Sequence, residues 1–107
     1  MANGSLINPL AVTNLTFSNV ASGASVTGIK TGRLVSLHAS INGVPASSWT
    51  KIADTTEIPS DKVSCIVANA QINAYGQLRV DNTGKIEIYH TNGSTMNFLD
   101  MLINYII

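Results

Sequence analysis

Apolar and polar residues alternate with period two along most of the chain. Residues 33–41, RLVSLHASI, place Val35, Leu37, Ala39 and Ile41 on one face of an extended segment, with Leu34, Ser36, His38 and Ser40 on the other. Residues 10–17 read as a strand whose phase slips near Thr13-Asn14, the mark of a bulge or a strand end. A turn-rich link around Gly23 leads to a short strand over 26–30. Asn42-Gly43 is a turn signal. Residues 44–62 form the longest irregular stretch, with Pro45 and Pro59, and hold a short strand over 49–52. Residues 63–72, VSCIVANAQI, are partly apolar on both faces, which predicts the longest strand and a central place in its sheet. After a turn at Tyr75-Gly76, residues 77–80 and 85–90 form a hairpin. Its link, Asp81-Asn82-Thr83-Gly84, suits a type I turn closed by a left-handed Gly84. Asn92-Gly93-Ser94 is a further turn. In the closing TMNFLDMLINYII, Met96, Leu99, Leu102 and Ile103 fit a helical stripe, but the β-branched and aromatic end favours two short strands with a break near Asp100. Many short strands separated by turns predict an all-β fold, a compact antiparallel β-sandwich or barrel.

Composition narrows what such a fold can do. The 107 residues make one domain. Six Lys/Arg balance six Asp/Glu, so no basic field exists to hold a nucleic-acid backbone. Only 11% of residues are charged, and 11 Ser, 10 Thr and 11 Asn take their place. Small monomers usually guard sheet edges with charge. The surface is therefore that of a neutral β-domain, or one largely covered by sister subunits. The start, MANGSLINPL, lacks the basic region and apolar run of a signal peptide, and the apolar stretch FLDMLINYII is too short to span a bilayer. The expectation is a soluble chain without membrane insertion.

Candidate chemistry is sparse. Gly23 to Thr31 comes within one residue of a phosphate-binding P-loop, but Ile29 breaks the register and no helix follows. Asp81 to Gly84 lacks the alternating oxygen ligands of a calcium loop and reads as a hairpin turn. His38 and His90 have no local ligand partner, so no metal and no cofactor is expected. The one cysteine, Cys65, alternates with core positions and reads as a buried, inert thiol. Asp54, Glu57, Asp61, Asp81, Glu87 and Asp100 are not fixed as a catalytic pair by any spacing, and no Gly-x-Ser-x-Gly elbow is present, so no enzyme activity is expected. Sugar binding needs an aromatic face, amides and an acid on a rigid rim. Trp49, Tyr75, Tyr89, His90, Asn73, Asn92, Arg79 and Asp81 supply such groups near turns or strand ends. Trp49 is equally readable as a core aromatic.

The order of short motifs carries a resemblance. Lys30-Thr31-Gly32-Arg33-Leu34-Val35-Ser36-Leu37 is followed by Trp49-Thr50-Lys51-Ile52-Ala53 and Ile58-Pro59. Gly76-Gln77-Leu78-Arg79-Val80 and Asn82-Thr83-Gly84-Lys85-Ile86 come next, and Ile103-Asn104-Tyr105-Ile106 closes the series. Over residues 10–107 this resembles the C-terminal head domains of bacteriophage tail fibres and of siphophage baseplate receptor-binding proteins. Only Pro59 matches the two-proline loop of that pattern. The resemblance implies a β-sandwich head that assembles as a homotrimer in the virion tail, is made in the host cytoplasm, and attaches to bacterial cell-surface saccharide without chemistry. It also implies contacts with other phage tail or baseplate proteins. Residues 1–9 would be an arm or the remnant of a shaft. Trp49 or Tyr75 would stack on a sugar ring, Arg79, Asp81 and Asn92 would hydrogen-bond it, and His90 would join them. His38, Tyr105 and Ile107 would lie at the three-fold axis or a subunit contact. The alternative is a structural β-domain of a baseplate or tail fibre that mediates protein assembly alone.

Overall fold

The computed structural model describes residues 11–69 and 74–107, which contain nine strands and no helix. The expected arm, residues 1–9, lies outside the described residues. The strands are β1 (Val12–Asn14), β2 (Phe17–Ser18), β3 (Ala24–Thr31), β4 (Leu34–Val44), β5 (Thr50–Thr55), β6 (Val63–Asn69), β7 (Ala74–Val80), β8 (Lys85–His90) and β9 (Met96–Ile106). They form two antiparallel sheets, of order β9-β4-β3-β1 (sheet A) and β2-β5-β8-β7-β6 (sheet B). The inward residues of both sheets meet in one core, as in a β-sandwich.

Alternation decides which residues enter that core. Val35, Leu37, Ala39 and Ile41 of β4 are buried, as are Met101, Ile103 and Tyr105 of β9. From sheet B come Ile52, Leu78, Val80, Ile86 and Ile88, each fully buried. Burying a side chain of this size contributes ~1.5–3 kcal/mol. Ile52 and Ala53 are both inside because β5 gains one residue on β8 between Lys51↔Glu87 and Ala53↔Ile86.

The phase slip near Thr13-Asn14 marks a change of sheet. Val12 to Asn14 pair with β3 in sheet A, whereas Phe17 and Ser18 pair with β5 in sheet B. Leu15 and Phe17 then pack on the core. At the opposite side β6 and β9 face each other. There the Cys65 thiol points to the Leu102 carbonyl at 3.3 Å and is half-buried, and burial pushes its pKa up.

Four local expectations are corrected. Asn42-Gly43 is not a hairpin turn: β4 runs through it as a bulge, with Gly43 at φ 72° and its N–H donating to Asn97 Oδ1. Nor does Asp100 end a strand. It is an extra residue in continuous β9, at φ 56°, and its N–H donates to Ser40 Oγ. The two bulges sit on opposite strands of one pair, so the second restores the register the first shifts. Tyr75-Gly76 lies inside β7, where a Cβ on Gly76 would sit 3.0 Å from the Phe98 ring. Finally, among the described strands β6 lies at the edge of its sheet, and it is shorter than the 11-residue β4 and β9; its outward Ile66 is 72% exposed. Of its expected span, Ala70, Gln71 and Ile72 lie outside the described residues.

The β7–β8 hairpin forms as expected. Gly84 takes φ 90°, and its N–H donates to the Asp81 carbonyl.

Candidate functional site

The register of β6, β7 and β8 builds one outward face on sheet B. Ile66, Gln77 and Tyr89 lie in one row, and Ser64, Arg79 and Glu87 in the next. Tyr75 stands beside Ala68 and is 59% exposed. Trp49, just before β5, turns onto the same face. Its ring lies 5.3 Å from that of Tyr89, at an interplanar angle of 38°.

Arg79 locks this cluster. Its guanidinium carbon lies 3.6 Å from the centre of the Trp49 ring, a cation–π contact. Its Nε and Nη2 both donate to Glu87 Oε1, at 3.1 and 3.0 Å. The pair is well covered, with side-chain exposures of 20% and 12%. The stack fixes the Trp49 plane, so the ring presents a preset surface. Beside the cluster, Ile66, Tyr75, Gly76, Gln77, Tyr89, His90 and Thr91 line a shallow depression of about 160 Å³. Asn92 shapes its rim by donating from Nδ2 to the Tyr75 carbonyl at 3.0 Å. Aromatic planes, an amide and a hydroxyl around an open depression suit a neutral, hydroxyl-rich ring.

Of the six expected ligand-binding residues, the fold thus brings Trp49, Tyr75, Arg79 and Asn92 to one surface. The side chains of the other two are engaged inside the protein, although His90 borders the depression. His90 is buried against Phe98, with ring centres 5.3 Å apart. Its Nε2 donates to the Val44 carbonyl at 2.7 Å, and its Nδ1 accepts from the Asn92 N–H at 3.3 Å. Both ring nitrogens are used inside the protein, so His90 serves packing. Asp81 is also occupied: its Oδ1 accepts from Thr83 N–H, Thr83 Oγ1 and Lys85 N–H. Burial pushes its carboxyl up, but these hydrogen bonds outweigh that and hold it below its usual value. Asp81 therefore shapes the turn.

His38 is exposed on the outer face of sheet A, with Nε2 3.4 Å from Asp100 Oδ1. Tyr105 is not a surface residue. It is 4% exposed, and its hydroxyl donates to the Glu57 carbonyl. Ile107 is half-buried against the core, and its carbonyl accepts from Arg33 Nε. Asn73 lies outside the described residues. Gln77 and Thr91 were not singled out from the sequence, and Glu87 was weighed only as one of a possible catalytic carboxylate pair. For Gln77 and Glu87 a signal existed, since alternation in the 77–90 hairpin puts them on the face of Arg79 and Tyr89. No group of three or more His, Cys, Asp or Glu able to hold a metal ion occurs among the described residues.

In comparison with known proteins, no protein-family model matches the chain and no curated protein matches it.

Proposed function

We propose that the chain is the receptor-binding head of a phage tail, a homotrimer that attaches to bacterial surface saccharide without catalysis. The observation that carries this reading is the outward face of sheet B, where Tyr75 and Tyr89 flank a depression beside the Trp49–Arg79 stack. The motif resemblance supplies the phage context. A shallow open depression gives a weak single site, and three linked copies compensate by avidity.

The test is binding of the purified protein to a panel of bacterial surface polysaccharides and to intact cells. Saccharide binding that Tyr75→Ala abolishes, with folding intact, supports the reading. Absence of binding across the panel overturns it in favour of a structural domain that binds only protein.

A further inference from the structure

The outer face of sheet A differs in kind from that of sheet B. Its rows follow from the pairing. Ile106, Leu34, Thr31 and Val12 lie side by side across the four strands, and Asn104, Ser36, Ile29 and Asn14 make another row. Leu102, His38 and Thr27 make a third. Five large apolar residues therefore point outward from one face. Val12, Leu102 and Ile106 are 62%, 61% and 65% exposed, with Ile29 and Leu34 over 40%. A depression of about 300 Å³ opens between Ile29 and Leu102, floored by Thr27, Ser36 and His38.

Charge is segregated between the two faces. No Lys, Arg or Glu occupies an outward position in these three rows. The strands of sheet B, in contrast, carry Lys51, Asp54, Arg79, Lys85 and Glu87. The ionisable side chains near the centre of the sheet A face are His38 and Asp100, with Nε2 and Oδ1 3.4 Å apart.

We infer that the outer face of sheet A is the surface through which copies of this chain associate. Three arguments select a second copy as its occupant. Burying unpaired charge is costly, and these rows bring almost none into a contact with themselves. Their Ser, Thr and Asn side chains both donate and accept hydrogen bonds, so the face is compatible with its own copy. A charged partner would find no counter-charges here. The size also fits. β3, β4 and β9, about 4.8 Å apart and paired over about eight residues, with the three residues of β1 beside them, span a flat area of about 450 Å². Side-chain relief raises the accessible area towards the ~800 Å² per partner of a stable interface. Five exposed large apolar residues gathered on one face mark an interaction site.

This deepens the oligomeric part of the reading above and rests on it for the number of copies: in a homotrimer the face turns to the three-fold axis, where one edge of it meets the other edge of the neighbouring copy's. It leaves the Trp49–Tyr75 face pointing outward in the assembly.

Solution mass by size-exclusion chromatography with light scattering tests it, on the full chain and on Leu102→Lys, Leu34→Lys and Ser64→Lys. The unmodified protein is expected at a multiple of 11.3 kDa. Leu102→Lys and Leu34→Lys should fall to the single-chain mass with unchanged circular dichroism and cooperative unfolding. Ser64→Lys, on the outer face of sheet B, should leave the mass unchanged. A monomeric unmodified protein overturns the inference, as does an oligomer that both sheet A lysines leave intact. A dimer lost on either sheet A substitution upholds the surface and overturns the homotrimer. A monomeric variant that still binds saccharide at single-site strength shows that the ligand reading stands apart from this one.

Discussion

The Tyr105 hydroxyl donates a 2.6 Å hydrogen bond to the Glu57 carbonyl, tying β9 of sheet A to the loop that leaves β5 of sheet B. Burial chiefly, with help from the Glu57 charge, pushes the Tyr105 phenol up to about 12. The folded state therefore holds this proton more tightly than the unfolded chain, whose phenol titrates near 10. The contribution is complete below pH ~10 and is lost as pH rises through about 12. Tyr105→Phe should lower stability at pH 7 by ~0.5–1.5 kcal/mol. It should also remove this part of the alkaline loss, as urea unfolding between neutral and high pH will read.

The acid limb depends on Glu57 and Asp54, together with Asp81 in its turn. A hydrogen bond from Lys30 holds the Glu57 carboxyl below its ordinary value against opposing burial, with the charges 2.8 Å apart. Lys51, and then Asn19, do the same for Asp54. Depressed carboxyls stabilise the fold above their unfolded pKa and lose that contribution as pH falls through the folded value. Both pairs are partly solvated, so each is worth at most ~1 kcal/mol. Lys30→Ala should weaken the protein at pH 7, and its urea midpoint should converge on that of the unmodified protein as the carboxylates protonate.

Two glycines with similar backbone angles should respond differently to alanine. A Cβ on Gly84 would lie 2.3 Å from the Thr55 carbonyl oxygen, whereas a Cβ on Gly93 would meet nothing within 4 Å. The left-handed conformation alone costs alanine ~1–2 kcal/mol. Gly93→Ala should show that cost only. Gly84→Ala should exceed it by ~1–3 kcal/mol, because the hairpin tip must lift off β5. Paired denaturation curves will separate the two.

Trp49 is the single tryptophan, so its emission reports on the one ring that Arg79 stacks on and Tyr89 adjoins. Arg79→Ala should shift that emission to the red and cost ~1 kcal/mol or more, since Glu87 loses its partner as well. An unchanged spectrum would mean that the guanidinium does not cover the ring in solution.

Much of the fold was legible because alternation is a local property. The inward set of β4 and the β7–β8 hairpin follow from period two and one left-handed glycine. The bulges were not legible. An inserted residue breaks alternation at Asp100 and gives Met96, Leu99 and Leu102 the spacing of a helix. Two apolar faces suggested a central β6, yet strand order is set by distant partners, and Ile66 stands exposed. The misplacement of His90 had a remedy in the pattern itself. It shares the phase of buried Ile86 and Ile88, as Tyr105 shares that of Met101 and Ile103. Residue type suggested function at both positions, while phase placed them inside. Trp49 could not be assigned from phase, since it precedes its strand and is held by a cation from β7.

The pairing of β9 with β4 joins Ile106 to Leu34, so half of the core comes from residues far apart along the chain. A ribosome making this protein therefore exposes the apolar face of β4 long before β9 emerges to cover it. Sheet A must await late synthesis, and folding should be slow, in the millisecond-to-second range of non-local β topologies. Over that interval the nascent chain is a client for whatever shields bare strands in the cell.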